Sequence, residues 1–241
     1  MSDPQIDPLL ERRAKRMPAV DPAALERIAH RVRANLTAVR PWLPPWLLAS
    51  TLAVGCALVA IAGAALAGFE GVVALGPWRS FIVLATLASL TGIMARECVA
   101  RFIPGHRLRS SAGGALAACS VSLVLLFTLL FGDYHASHFI AAGVACLQQG
   151  VLHGVPSGIL CAVLLRRGFA TRPVLAALTA GALAGLTGVL FLEMHCTNLE
   201  APHLIVWHTA VVPVSAGLTA LGVFCAHQLR SSISRKMPAS S

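Results

Sequence analysis

The chain has 241 residues, 56% of them hydrophobic and only 12% charged, where a soluble domain carries about 25% charged residues. So few charges cannot cover a globular surface in water, which excludes a soluble globular protein. The net charge of +9 would suggest nucleic acid as the partner of a soluble protein. In a membrane protein it follows from arginine-rich cytoplasmic loops, and no direct nucleic-acid binding is expected.

Residues 1–45 form the only sizeable polar segment, too short for a core of its own. Asp21 followed by Pro22 reads as an N-cap with proline in the first turn. Leu25, Ile28, Val32, Leu36 and Val39 then recur on one helical face, with Arg27, Arg31 and Arg33 largely off it. Pro41, Pro44 and Pro45 end the pattern, so an amphipathic helix is expected over about 21–40. An isolated helix of that length is marginal in water, and its stripe needs a partner. The residues alone leave two candidates on equal terms: the membrane surface, and a protein whose groove accepts the apolar face. Asp3, Asp7, Glu11, Asp21 and Glu26 dilute the basic residues and argue against DNA.

Six apolar segments follow, each near the roughly 20 residues that a helix needs to cross a bilayer. They are Trp46–Gly68, Trp78–Ala95, Ala112–Phe131, Phe139–Leu165, Pro173–Met194 and Leu204–His227. Helix is required because an open sheet cannot satisfy its backbone in lipid. Arg96, Arg101, Arg107 and Arg109 fall in the second loop, Arg166, Arg167 and Arg172 in the fourth, and Arg230, Arg235 and Lys236 in the tail. The alternate loops hold Arg79 as their only cation, with Glu70, Asp133, Glu193 and Glu200. Cations stay on the cytoplasmic side, so both termini are expected there and the histidine-bearing loops outside. The expected fold is therefore an all-α membrane protein: a six-transmembrane-helix bundle with a short cytoplasmic N-terminal amphipathic helix. Its parts are a 1–45 segment, a 46–227 bundle and a 228–241 cytoplasmic tail. Gly150, Gly154 and Gly158, and again Gly181 and Gly185, repeat the small-residue spacing that lets helices approach. Pro156 and Pro213 are expected to kink their spans, and no internal repeat is visible.

The seven cysteines form no CxxC pair. Cys56, Cys119, Cys161 and Cys225 lie in apolar runs and read as small packing residues. Cys98 reads as incidental. The external loops are richer: His135 and His138 lie in the third, Glu193, His195, Cys196, Glu200 and His203 in the fifth, and His208 opens the last span. Cys146, Gln149 and His153 share a face of the fourth span and are expected to point into the bundle. Cys146 is expected about 10 Å deeper than Cys196, by two helical turns. Imidazole and thiolate are ligands for zinc, copper and cadmium. The same two cysteines could instead form a disulfide on an oxidising outer side. A transition-metal ion is thus expected as a signal, with no tightly bound cofactor.

The run Val39-Arg40-Pro41-Trp42-Leu43-Pro44-Pro45-Trp46 resembles the juxtamembrane segment of the NrsF family of six-span membrane anti-sigma factors. Cys146-Leu147-Gln148-Gln149-Gly150, Gly154-Val155-Pro156-Ser157-Gly158 and Leu164-Leu165-Arg166-Arg167-Gly168 are similar to that family's fourth span. His195-Cys196 and Trp207-His208 are similar to its fifth loop and sixth span, although Thr197-Asn198 departs from the family's continuation. The resemblance implies a bacterial inner-membrane regulator whose partner is a sigma factor of the extracytoplasmic-function type. It implies that Leu25, Ile28, Val32, Leu36, Arg27 and Arg31 lie in the region that holds the sigma factor. It also implies sensing of metal or thiol stress at Cys146 and Cys196.

Two other functions compete. A metal or small-solute transporter driven by protons usually needs carboxylates mid-span, and none lies there; a membrane thiol oxidoreductase usually shows CxxC. A regulator needs only a bistable element biased by a ligand. The reading favoured is a non-enzymatic anti-sigma factor.

Overall fold

A computed structural model describes residues 21–34, 43–103, 110–166, 168 and 170–236. They fall in two compact units, one within residues 1–42 and one within 43–241.

In the first unit, α1 spans Pro22–Ala34. The Asp21 carboxylate accepts the Ala23 N–H at 3.0 Å, and its carbonyl accepts Ala24 and Leu25 N–H. This is the N-cap that an Asp-Pro start provides. Leu25 and Ile28 are more than half exposed. Arg27 pairs with Asp21 at 3.5 Å on the surface. The expected continuation of the helix through residue 40, with Leu36 and Val39, lies outside the described residues.

The second unit is built of α2 (Pro45–Ala67), α3 (Glu70–Arg101), α4 (Ala112–Leu130), α5 (Phe139–Leu165), α6 (Pro173–His195), a short α7 (Ala201–His203), a π-helical turn (Leu204–His208) and α8 (Thr209–Lys236). Six of these stretches are long and apolar enough to cross a membrane, the last being Ala201–Leu229. The chain is an all-helical, multi-pass membrane protein.

α6 is the hub. Of its most apolar window 83% is buried, against 22–39% in the other five spans, and it packs on α2, α3, α4, α5 and α8. Small side chains make this possible, because the hydrophobic effect does not hold helices together in lipid and close van der Waals packing must. A Cβ on Gly185 would lie 2.7 Å from the Val212 Cα of α8, and one on Gly154 would lie 2.6 Å from the Ala184 carbonyl oxygen of α6. Backbone meets backbone at both places, and any larger residue would drive the helices apart. Elsewhere, hydroxyls in the spans return to the carbonyl one turn back, as Ser122 to Ala118, Thr128 to Val124 and Thr187 to Leu183. That pairing satisfies them where water is absent.

Two details depart from the sequence reading. The second span begins at Glu70, eight residues early, because α3 carries a break: Gly76 has φ 73° and ψ 165°, followed by Pro77. Proline excludes the α conformation from its predecessor, and glycine accepts the left-handed one without strain. Cys225 is exposed on α8 rather than packed, whereas Cys56, Cys98, Cys119 and Cys161 are buried.

Candidate metal centre

The connections α2–α3, α4–α5 and α6–α7 meet at one end of the bundle, the histidine end. Asp133 O accepts the Ala201 N–H at 2.6 Å. Ser137 donates both its N–H, at 3.3 Å, and its hydroxyl to Glu200. The Ser137 hydrogen bond holds the Glu200 carboxyl below the usual carboxylate range. On the surface of the same loop Asp133 accepts from His135 Nδ1 at 2.6 Å. That hydrogen bond pulls the Asp133 carboxyl down and pushes the His135 imidazole up. One connection thus clasps the next and fixes where α7 starts.

Beneath this clasp four donor groups converge. Cys146 of α5, Cys196 just after α6, His203 of α7 and His208 of the π turn place their ligand atoms within 4.8 Å of one another. The two Sγ atoms are 3.6 Å apart. Cys196 Sγ lies 3.8 Å from His203 Nε2. A tetrahedral zinc with about 2.3 Å bonds to sulfur needs sulfurs about 3.8 Å apart, so the spacing fits a closed four-ligand site. Both histidines are fully buried.

The π turn is what makes the pair of histidines. In an α-helix residues five apart sit about 140° apart around the axis, since each residue turns about 100°. A π turn bonds i to i+5 and accommodates one extra residue, so His203 and His208 return to the same side, their rings 5.2 Å apart and edge-on. The sequence carried no sign of this widening.

Glu193 fixes the His208 ring. Its Oε1 lies 2.6 Å from His208 Nδ1, and both side chains are essentially inaccessible. A carboxylate only accepts, so Nδ1 carries the proton and donates. In the neutral imidazole the lone pair then sits on Nε2, which is buried without a hydrogen-bond partner among the described residues. Carboxylate–histidine pairs of this kind orient metal-binding imidazoles. The expectation that Glu193 lies in an external loop is corrected. It sits in the last turn of α6 and is 2% exposed, because α6 runs on to His195 and its end is surrounded by neighbours.

The expected 10 Å offset between Cys146 and Cys196 is also corrected. α6 ends at His195, Cys196 turns extended with φ −73° and ψ 127°, and its thiol comes to the level of Cys146. Gln149 does not point into the bundle. It is exposed and lines an open cavity, while its carbonyl lies 2.9 Å from His153 Nδ1. The other four histidines expected at the site lie outside this set of donors. His153 stacks on Phe191 at 3.6 Å, and Phe191 on His195 at 5.4 Å. His135 and His138 are exposed on the α4–α5 connection, with His138 in the left-handed region at φ 50°.

A family model described as "NrsF: Negative regulator of sigma F" matches residues 33–227. No curated protein and no solved structure matches.

Proposed function

The chain belongs to the NrsF family of negative regulators of sigma F, and from that premise we propose a membrane anti-sigma factor that holds a sigma factor of the extracytoplasmic-function type and lets go when a soft or borderline metal ion binds at the histidine end. The family makes the chain a negative regulator of a sigma factor in a multi-pass membrane protein. The convergence of Cys146, Cys196, His203 and His208 supports the rest. These four residues would hold copper, zinc or cadmium through two thiolates and two imidazoles. A disulfide would use only the two cysteines and leave the Glu193–His208 arrangement without a purpose.

The ligands come from three segments: α5, the α6–α7 connection and the α7–π segment. Holding them together locks α5 and α8 against α6, which contacts every other span. A ligand shifts an equilibrium only by its differential affinity for the two states, and a closed tetrahedral site discriminates between them because it demands all four atoms at once. In this reading the loops that carry Arg96, Arg101, Arg166 and Arg172 face the cytoplasm of a bacterial inner membrane, and the N-terminal segment holds the sigma factor through Leu25, Ile28, Val32 and Leu36. Arg27 and Arg31 lie beside that stripe.

Replacing both thiols tests the reading. With protein at normal level in the membrane, Cys146→Ser/Cys196→Ser should keep basal repression and lose the response of the sigma regulon to cadmium, zinc and copper. Cys56→Ser and Cys225→Ser should respond like the parent. A double variant that still responds fully rules out this site. Loss of the response to thiol oxidants alone, with metal response intact, points to a disulfide instead.

A further inference from the structure

A cavity of about 340 Å³ opens at the histidine end, and Cys146 and Cys196 form part of its wall. The rest of its polar lining is Glu70, Gln149, His195 and Thr197. The buried centre is therefore reached through a vestibule with its own chemistry. Glu70 is 60% exposed, and its Oε2 lies 3.7 Å from His195 Nδ1. His195 is held in place: its ring stacks on Phe191, and Nδ1 lies 3.4 Å from the Gly68 carbonyl oxygen. Glu70 is anchored as well, because the first turn of α3 is pressed on the end of α6. A Cβ on Gly71 would lie 2.8 Å from both the Glu193 and the Cys196 carbonyl oxygens. A carboxylate and an imidazole thus stand together at the entrance, one residue and one helix away from the thiols.

We propose that Glu70 and His195 form a capture site for the incoming divalent cation, which then passes down the vestibule to Cys146, Cys196, His203 and His208. The inference rests on the metal reading of those four residues. One carboxylate oxygen and one imidazole bind a hydrated ion weakly, and thiolates bind soft and borderline ions more strongly, so transfer runs inward. A negative charge at the mouth also concentrates cations there, an effect worth roughly 10–1000-fold in on-rate at low salt. Glu70 and His195 set how fast the centre fills and leave how tightly it binds to the four buried donors.

Cadmium is a suitable probe, because its bonds to thiolate absorb in the near ultraviolet. The full-length protein in lipid nanodiscs is mixed with cadmium in a stopped-flow instrument, and the thiolate-to-cadmium band is followed. Glu70→Gln/His195→Gln should load about tenfold more slowly at low salt, with the final amplitude and the one-ion stoichiometry unchanged. Glu70→Asp, which keeps the charge, should load at close to the parent rate. Equal loading rates in parent and double variant overturn the capture site while leaving the buried centre standing. A double variant that loses the band, with Glu70→Asp losing it too, also overturns it, since the two residues would then be part of the final site or its scaffold. If the parent shows no thiolate–cadmium band at all, the metal reading falls and the capture site with it.

Discussion

The two units of this chain invert the usual rule of burial in opposite ways. At the histidine end of the bundle the polar groups Glu193, His203 and His208 are buried. On α1, Leu25 and Ile28 are exposed in a part expected to be polar. Buried polar groups cost several kcal/mol unless paired, and exposed apolar stripes on a marginal helix gain nothing from water. Both departures therefore read as binding surfaces, and they select opposite chemistries. The first offers nitrogen and sulfur lone pairs in a site closed by protein. The second offers a stripe of alkyl side chains whose affinity comes from area alone. Under the proposed function the contrast separates input from output: one region would be specific by coordination geometry, the other by apolar fit.

The comparison breaks most completely if the two regions lie on the same side of the membrane. Reporter fusions after residues 105, 169 and 241 should read cytoplasmic and fusions near 134 and 198 external, an all-or-none difference. A cytoplasmic signal near 134 and 198 would put the two regions on one side, and an external signal at the C-terminal fusion would rule the orientation out. Next in size is the stripe. Leu25→Asp/Ile28→Asp/Val32→Asp puts charge where alkyl groups would dock, and each fully buried side chain contributes about 1.5–3 kcal/mol. Their combined loss should weaken sigma binding by more than about 100-fold and switch the regulon on without stimulus. Unchanged repression at equal protein level would assign the stripe to lipid. The smallest effect sharpens the other side. Glu193→Gln keeps the size of the side chain but weakens the hold on His208, and loss of such an outer partner costs about 10–100-fold in metal affinity. A competition titration with a chromogenic chelator would measure it, and parent-like affinity would remove Glu193 from the centre.

Composition was enough for the all-helical, six-span fold. Six apolar stretches are properties of local sequence, because spanning lipid requires a helix whatever the neighbours do. The start of α1 was equally legible, since Asp21 and Pro22 act on the residues beside them. The small-residue spacing at Gly154 and Gly185 announced close packing without saying which helix came close.

Which of the nine sensing candidates share a site depended on three features with no local signature. The π turn swung His203 and His208 to one side, where a regular α-helix would hold them apart. The extended backbone at Cys196, just past the end of α6 at His195, brought its thiol to the level of Cys146. The crowding around α6 buried Glu193 beside His208 and left His195 at the vestibule with Glu70. The sequence determined which donor atoms the chain owns and which stretches span, because those follow from residue type and apolar length. Tertiary structure alone decided which of them meet, because convergence of side chains from separate helices is set by how those helices pack and end.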